Sequence, residues 1–369
     1  MVPEFQMLAT KETTSNWHSE KNMFVHTQLV CQEMLKQFNS NNFTEEEKLI
    51  LMFSALFHDI GKCRCENSDD GKLLSNGHPA ISEKLTRKIL WEMDIEEREK
   101  ICEIVRWHDL YCTGDISDRK LLRKISQLSP WLFIHIDLLC NQFLADDHGS
   151  QKTPDKEGSS EKFVEHIEKL LDDYQFHLAG TMKDLGEFTI YIMCGLPGSG
   201  KSTWVSQNVP HLPVISRDLI REELGMTEKG VKFMGTPEQE DLVSQISKER
   251  VLEYCKNKQS FVYDNMNSRE KYRYEFLMSV AKYHPIIRII YLEVDDLDLL
   301  EDRRPEIACK GENVFTSMIE KMEFPRPYEY DTLQILQDLS SGHLVDTTLI
   351  GYLHIQETRP KNCTVSLYR

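Results

Sequence analysis

A run of apolar and β-branched residues, Phe188-Thr-Ile-Tyr-Ile-Met-Cys194, passes directly into Gly195-Leu-Pro-Gly-Ser-Gly-Lys201-Ser202-Thr203, and a helical pattern follows over Lys201–Gln207. No other stretch constrains the fold as strongly. The spacing Gly-x4-Gly-Lys-Ser/Thr, set between a strand and a helix, lets backbone N–H groups wrap a phosphate while the helix dipole adds its field. The segment predicts a nucleoside triphosphate site built from Gly195, Gly198, Ser199, Gly200, Lys201, Ser202 and Thr203. Lys201 is placed to contact the β- and γ-phosphates and Ser202 to hold Mg²⁺. The expected cofactor is ATP or another NTP with Mg²⁺.

Further short apolar runs over 212–216, 260–263 and 285–294 alternate with helical patterns over 218–224, 238–256, 269–283 and 297–304. Strands alternating with helices predict an α/β domain around a parallel sheet. In such sheets ligands gather at the carboxyl ends of the strands. Asp218, in Ser216-Arg217-Asp218-Leu219-Ile220-Arg221, lies at one such end and is placed to take a proton from an attacking hydroxyl. Arg221 is one helical step further and can grip a phosphate on the acceptor. Arg217 and Asn267 are assigned to the acceptor side with it. Asp264 ends the run before Asn267 and is expected near the Mg²⁺. Arg303 and Arg304 fall where a lid can bring cations over the transferring phosphate, with Lys310 as a third candidate.

The N-terminal part has a different grammar. Apolar residues recur at helical spacing over 24–38, 45–57, 80–91, 96–108 and 119–143. Within these helices His58 and Asp59 stand side by side in Ala55-Leu-Phe-His58-Asp59-Ile-Gly-Lys62. Two polar side chains in an apolar stretch are costly unless something pairs them, and a metal ion does so. His26, His78, His108 and Asp137 supply one ligand type from each of several other helices. Ligands from several helices of a bundle can converge on an interior site. His26, His58, Asp59 and Asp137 are expected to serve one ion; His78 and His108, with Asp59 bridging, a second. Asp146 and Asp147 are nearby alternatives to Asp137. Mixed imidazole and carboxylate ligands suit Mn, Fe, Co, Ni or Zn without selecting among them, so one or two divalent transition metals are expected.

The polar tract from Asp146 to Ser160 is rich in Gly, Pro and Ser, which divides the chain into 1–148, a linker and connecting helix over 149–180, and 181–369. The formal charge is −16, from 44 basic and 60 acidic residues, and excludes a protein that coats nucleic acid by bulk charge. There are ten Cys, and neither a secretory signal nor a membrane-length apolar run is seen, so a reduced, cytoplasmic location away from membranes is expected.

Two resemblances follow from these residues. GLPGSGKST, SRDLIR, YDNMN, the Arg303-Arg304 segment and Met322-Glu-Phe-Pro325 resemble the polynucleotide 5′-kinases among P-loop phosphotransferases, over about 187–330. The resemblance implies that Asp218 is the general base toward a 5′-hydroxyl and that Arg221 holds the neighbouring 3′-phosphate. The ordered pattern H…HD…H…H…D over about 17–143 resembles the HD phosphohydrolase superfamily, and WHSEKNMFVHT is similar to HD domains attached to RNA-processing enzymes. An HD phosphohydrolase ahead of a polynucleotide kinase resembles the bacterial bifunctional end-healing enzymes called HD-Pnk. That likeness implies removal of a 2′,3′-cyclic phosphate or 2′/3′-phosphate by the first half and 5′-phosphorylation by the second, on RNA or DNA ends that a separate ligase then joins. Two other readings stand beside it: an HD nucleotidase fused to a nucleoside or small-molecule kinase, and a nucleotide-gated regulator.

Overall fold

The computed structural model describes residues 2–11, 22–66, 75–113, 116–150, 158–178, 186–228, 231–232, 235–294, 296–308, 314–338, 344–350 and 353–357. The chain forms two compact units, one mainly of Met1–Gln175 and the other mainly of Phe176–Ile355.

The first unit is helical: α1 (Pro3–Leu8), α2 (Met23–Ser40), α3 (Glu45–Phe57), α4 (His78–Ile89), α5 (Ile95–Trp107), α6 (Asp118–Ile125), α7 (Pro130–Ile134), α8 (Ile136–Gly149) and α9 (Ser159–Asp173). Helix α3 starts with a capping box in which Thr44 Oγ1 accepts from Glu47 N and the Glu47 carboxylate accepts from Thr44 N. Such a cap contributes about 1 kcal/mol. The core draws Val30 and Met34 from α2, Leu51 and Ala55 from α3, Ile101, Ile104 and Val105 from α5, and Leu138, Leu139 and Phe143 from α8. Helix α2 packs on both α3 and α8.

The apolar pattern over 119–143 predicts continuous helix, but the chain breaks there twice. Ser129 caps α7 by accepting from Leu132 N, with Pro130 as the first helical residue. Glu103 of α5 accepts from both Ser129 N and Ser129 Oγ and fixes the corner. The second break is at His135, whose backbone (φ −104°, ψ 38°) leaves the helical region.

The second unit is an α/β domain around a six-stranded sheet. Its strands are β1 (Thr189–Gly195), β2 (Val214–Ile215), β3 (Phe261–Asp264), β4 (Ile286–Val294), β5 (Thr332–Asp338) and β6 (Leu344–Ile350). Their order is β2-β3-β1-β4-β5-β6, parallel except for the antiparallel pairing of β6 on β5. Ile190, Ile192, Phe261, Val262, Ile287, Ile289, Leu333 and Ile335 are buried, as expected for strands covered on both faces. The helices are α10 (Lys201–Asn208), α11 (Arg217–Glu223), α12 (Pro237–Lys256), α13 (Glu270–Val280), α14 (Leu297–Arg303), α15 (Pro305–Ala308) and α16 (Val314–Glu320). The fold class is the expected one, a helical first domain and a mostly parallel α/β second domain. Strands β5 and β6 extend the sheet beyond the runs read from the sequence.

Candidate functional site

In the first unit the predicted ligands stand at helix ends. His58 follows α3, His108 follows α5, and His78 opens α4. Each ring places Nδ1 2.8 Å from the carbonyl three residues back: Ala55, Val105 and Ser75 respectively. These contacts assign the proton to Nδ1, which satisfies the carbonyls of Ala55 and Val105 in the last turns of α3 and α5 and that of Ser75 ahead of α4, and leaves the Nε2 lone pairs facing inward. Gly61 brings α4 close, because a Cβ there would lie 2.5 Å from His78 O and Ser82 N. Its own N–H donates to Ser82 Oγ at 2.8 Å. The glycine after Ile60 is therefore what allows His78 to reach Asp59.

Two adjoining clusters result, His26 with His58 and Asp146, and Asp59 with His78 and His108. All six residues are buried. In the first cluster His26 Nε2 lies 3.2 Å from His58 Nε2 and 3.1 Å from Asp146 Oδ1. In the second, His78 Nε2 lies 3.1 Å from His108 Nε2 and 2.9 Å from Asp59 Oδ1. The other oxygen, Asp59 Oδ2, is 3.5 Å from His26 Nε2 and 3.4 Å from His58 Nε2, so Asp59 spans both clusters.

These residues fit divalent ions. Imidazole lone pairs brought to 3.1 Å repel unless a cation lies between them. Ligands bound at about 2.1 Å stand about 3.0–3.4 Å apart, from octahedral to tetrahedral angles. Asp59 Oδ1 and Asp146 Oδ1 are buried and accept no hydrogen bond. Burial opposes their ionisation but is overcome, for Asp59 by Lys62 and His58 and for Asp146 by His58 and His26, so both carboxyls are held well below the usual range. Burial also lowers His58, yet Asp59 and Asp146 outweigh it and push the imidazole up to about 10. That is the local demand for positive charge which a metal ion meets in place of a proton.

The carboxylate from the last helix is Asp146, correcting the assignment of Asp137. Asp137 is exposed, near the start of α8, and its backbone carbonyl accepts from Asn141. Asp146 follows Leu138, Leu139, Gln142 and Phe143 on the buried stripe of that helix. The restart of the helix at His135 sets this phase, and a continuous helix over 119–143 hides it. Asp147 does something else: it accepts from Ser159 Oγ, Ser160 N and Ser160 Oγ and so ties the start of α9 to the end of α8. Lys62 and Tyr111 also belong to the site. Lys62 Nζ donates to Asp59 Oδ2 at 2.7 Å and Tyr111 Oη donates to Asp146 Oδ2 at 3.1 Å, each fixing the carboxylate it touches. Residues 17–21 of WHSEKNMFVHT and Lys310 lie outside the described residues.

A direct test separates the two aspartates. Saturating Mn²⁺ should raise the melting temperature of the wild-type protein, since an ion at a hundred times its Kd adds about 2.7 kcal/mol. Asp137→Ala should keep that rise and Asp146→Ala should lose most of it. Equal retention in both variants would remove Asp146 from the ligand set.

In the second unit the loop after β1 has the predicted form. Gly198 and Gly200 take φ of 85° and 95°, values that side-chain-bearing residues rarely adopt. Lys201 Nζ donates to Gly195 O and Leu196 O, both at 2.8 Å, which places it inside the loop where a phosphate is to be held. Burial lowers the Lys201 ammonium from its ordinary value, with Asp264 pulling the other way. Ser202 and Thr203 are exposed at the start of α10 and Ser199 is buried. Arg303 Nη1 donates to Gly198 O at 3.1 Å, and a Cβ on Gly198 would meet Arg304 Cγ at 3.2 Å. Both arginines therefore stand over the loop. A cavity of about 360 Å³ adjoins it, lined by residues that include Gly200, Thr203, Trp204, Gln207, Leu292 and Arg303.

At the carboxyl end of β2, Ser216 caps α11 by accepting from Asp218 N, so Asp218 is not the cap. The Asp218 side chain is exposed and accepts from Arg221 Nη1 at 2.7 Å. Glu240, in the first turn of α12, takes Arg221 Nε at 2.9 Å and Nη2 at 2.8 Å, and Arg217 Nη2 at 2.8 Å. Asn267, expected to contact the acceptor, makes a contact within the protein. With φ of 45°, it donates through Nδ2 to Met193 O at 2.7 Å, holding the backbone ahead of the phosphate loop. Arg273, fully buried against Glu329, ties Asn267 O to Glu323 O.

Two stretches of the chain match known protein families. Residues 24–129 match the HD domain. Residues 190–319 match an AAA domain, AAA_33. The HD domain is thus joined in one chain to a P-loop kinase-like domain. No match is found among the curated proteins. Similar solved structures include a candidate kinase from Chloroflexus aurantiacus, at 14% identity and TM-score 0.34, covering 42% of this chain and 88% of that one. Kti12 from Chaetomium thermophilum with ADP-AlF3 has 12% identity and TM-score 0.29, covering 42% and 92%. The AvrRxo1-ORF1:-ORF2 complex with ATP has 12% identity and TM-score 0.29, covering 44% and 58%. Among the described residues no helix is long and apolar enough to cross a membrane.

Proposed function

We propose that the chain heals nucleic-acid ends, its HD domain removing a 2′,3′-cyclic phosphate or a terminal 2′/3′-phosphate and its kinase-like domain phosphorylating a 5′-hydroxyl. The observation that carries this reading is the presence, in one chain, of a six-residue cage suited to two ions and a phosphate loop with an exposed carboxylate, Asp218, at its acceptor side. One site suits breaking a phosphoester and the other making one, and these are the two operations that cleaved strands with a 2′,3′-cyclic phosphate and a 5′-hydroxyl require.

In the kinase-like domain the 5′-oxygen attacks the γ-phosphorus, its bond to the β–γ bridging oxygen breaks, and the nucleoside diphosphate leaves. Asp218 takes the hydroxyl proton. Lys201, Arg303 and Arg304 stabilise charge on the transferring group, and Ser202 and Asp264 are the candidates for Mg²⁺. In the HD domain, His26, His58, Asp59, His78, His108 and Asp146 would hold divalent metal. Metal bound there would supply activation of a water and neutralisation of charge on the leaving oxygen. Lys62 and Tyr111 keep the two carboxylates oriented toward that task.

Competition tests the substrate class. With labelled ATP and equal concentrations of a 5′-hydroxyl oligonucleotide and adenosine, label is expected almost entirely on the oligonucleotide. Preferential labelling of adenosine would replace this reading with a small-molecule kinase fused to a nucleotidase.

A further inference from the structure

Four charged side chains meet at the acceptor side of the kinase-like domain, and their charges cancel. Arg217 and Arg221 carry two positive charges, Glu240 and Asp218 two negative ones. The Nε and Nη2 edge of Arg221, the edge that takes a phosphate by two parallel bonds, already holds Glu240 at 2.9 and 2.8 Å. Its remaining nitrogen, Nη1, holds Asp218. Arg217 divides its guanidinium between Glu240 and Ser244 Oγ. Glu240 is further secured by Gly235 N, which donates to Oε1 at 3.2 Å. The Glu240 side chain is only 14% exposed and that of Arg221 13%, so the pair is a built feature of the α11–α12 contact and not a loose surface bridge. Bonds from Arg221 and Arg217 outweigh burial and bring the Glu240 carboxyl down to about 2, so it stays charged at any working pH.

We propose that Glu240 sets the acceptor class of the kinase-like domain, limiting the negative charge that Arg217 and Arg221 accept, so that a singly charged phosphodiester beside the attacked hydroxyl is preferred over a doubly charged terminal phosphate. This rests on the polynucleotide reading above and deepens it. A chain end presents an internucleotide diester next to its 5′-hydroxyl. A free nucleoside 3′-phosphate presents a monoester that is close to dianionic at neutral pH. Beside a fixed carboxylate the second charge is repelled, while the diester still offers two acceptor oxygens to Arg217 and Arg221. Glu240 thus separates chain ends from small 3′-nucleotides by charge, without contacting a base.

The test uses two 5′-hydroxyl acceptors, adenylyl-3′,5′-adenosine and adenosine 3′-phosphate, with wild-type protein, Glu240→Gln and Glu240→Asp. The wild type should favour the diester in kcat/KM by about tenfold, the scale of one pK unit of like-charge repulsion. Glu240→Gln should bring the ratio close to one through a lower KM for adenosine 3′-phosphate, and Glu240→Asp should keep the wild-type ratio. An unchanged ratio in Glu240→Gln, or an equal fall on both acceptors, would assign Glu240 to structure alone and overturn the inference. Should the wild type phosphorylate neither acceptor nor any oligonucleotide, the polynucleotide reading itself fails. Equilibrium binding of the two probes in the presence of ADP and Mg²⁺ then decides Glu240 separately: the same shift sustains its role and no shift rejects it.

Discussion

Asp59→Asn should reduce phosphoester hydrolysis by the HD domain by about 10⁴-fold, the scale seen when one member of a catalytic unit is removed, and leave kinase activity within about twofold. The reason is the double position of Asp59. Oδ1 is shared with His78 and His108, at 2.9 and 3.4 Å, and Oδ2 with His26, His58 and Lys62, at 3.5, 3.4 and 2.7 Å. An asparagine of nearly the same shape must put its NH₂ group on one of those sides. There it presents hydrogens where an oxygen lone pair is needed, and the site loses a bridging ligand whichever way the amide turns. Lys62 also loses the charge it pairs with, which leaves a buried ammonium without its counter-ion. Bound Mn²⁺ per chain should fall together with the activity. A variant that binds metal normally yet is inactive would mean that Asp59 acts on the substrate and not as a ligand.

Lys201→Ala should cost the kinase-like domain about 10²–10³ in kcat, the usual consequence of removing one preorganised charge at a phosphoryl-transfer site, while hydrolysis is unchanged. Lys201 Nζ is held between Gly195 O and Leu196 O, both at 2.8 Å, and so is positioned before any nucleotide arrives. Arg303 is not expected to substitute for it, because its guanidinium is tied to Gly198 O. The loss should be larger in kcat than in nucleotide affinity, since the backbone N–H groups of the loop remain. Loss of both activities in a folded Lys201→Ala protein would contradict independent sites.

Much of this was legible in the sequence because chemistry and local pattern coincided. The phosphate loop is contiguous and its glycines report backbone shape directly. His58 and Asp59 stand out as polar residues directly after the apolar run of α3, and their partners His26, His78 and His108 are histidines in or beside the terminal turns of similar helices. The last ligand was harder to see. Asp137 stands two residues from His135, but the backbone bend at His135 restarts the helix and puts Asp137 on the solvent side, while Asp146 falls on the stripe with Gln142 and Phe143. Such a change of helical phase comes from a backbone bend at one residue, His135, which the apolar periodicity within 119–143 does not report. Glu240 was hidden for a related reason. An acidic residue in the first turn of a helix is ordinary complementation of the helix dipole, and only the packing of α12 on α11 turns it into the partner of Arg217 and Arg221. Strands β5 and β6 are harder to read because Gln334, Gln337 and Asp338 in β5, and Asp346, Thr347 and Thr348 in β6, dilute the apolar run that marks the central strands.

The proposed function requires one chain to repair both kinds of broken end. It is tested most directly with a single oligoribonucleotide that carries a 5′-hydroxyl and a 2′,3′-cyclic phosphate, incubated with labelled ATP, Mg²⁺ and Mn²⁺, each end then being resolved. The expected product carries label at its 5′ end and has lost the phosphate at the other. An oligonucleotide unchanged at both ends, with free nucleosides or nucleotides processed efficiently by the same preparation, would contradict the account.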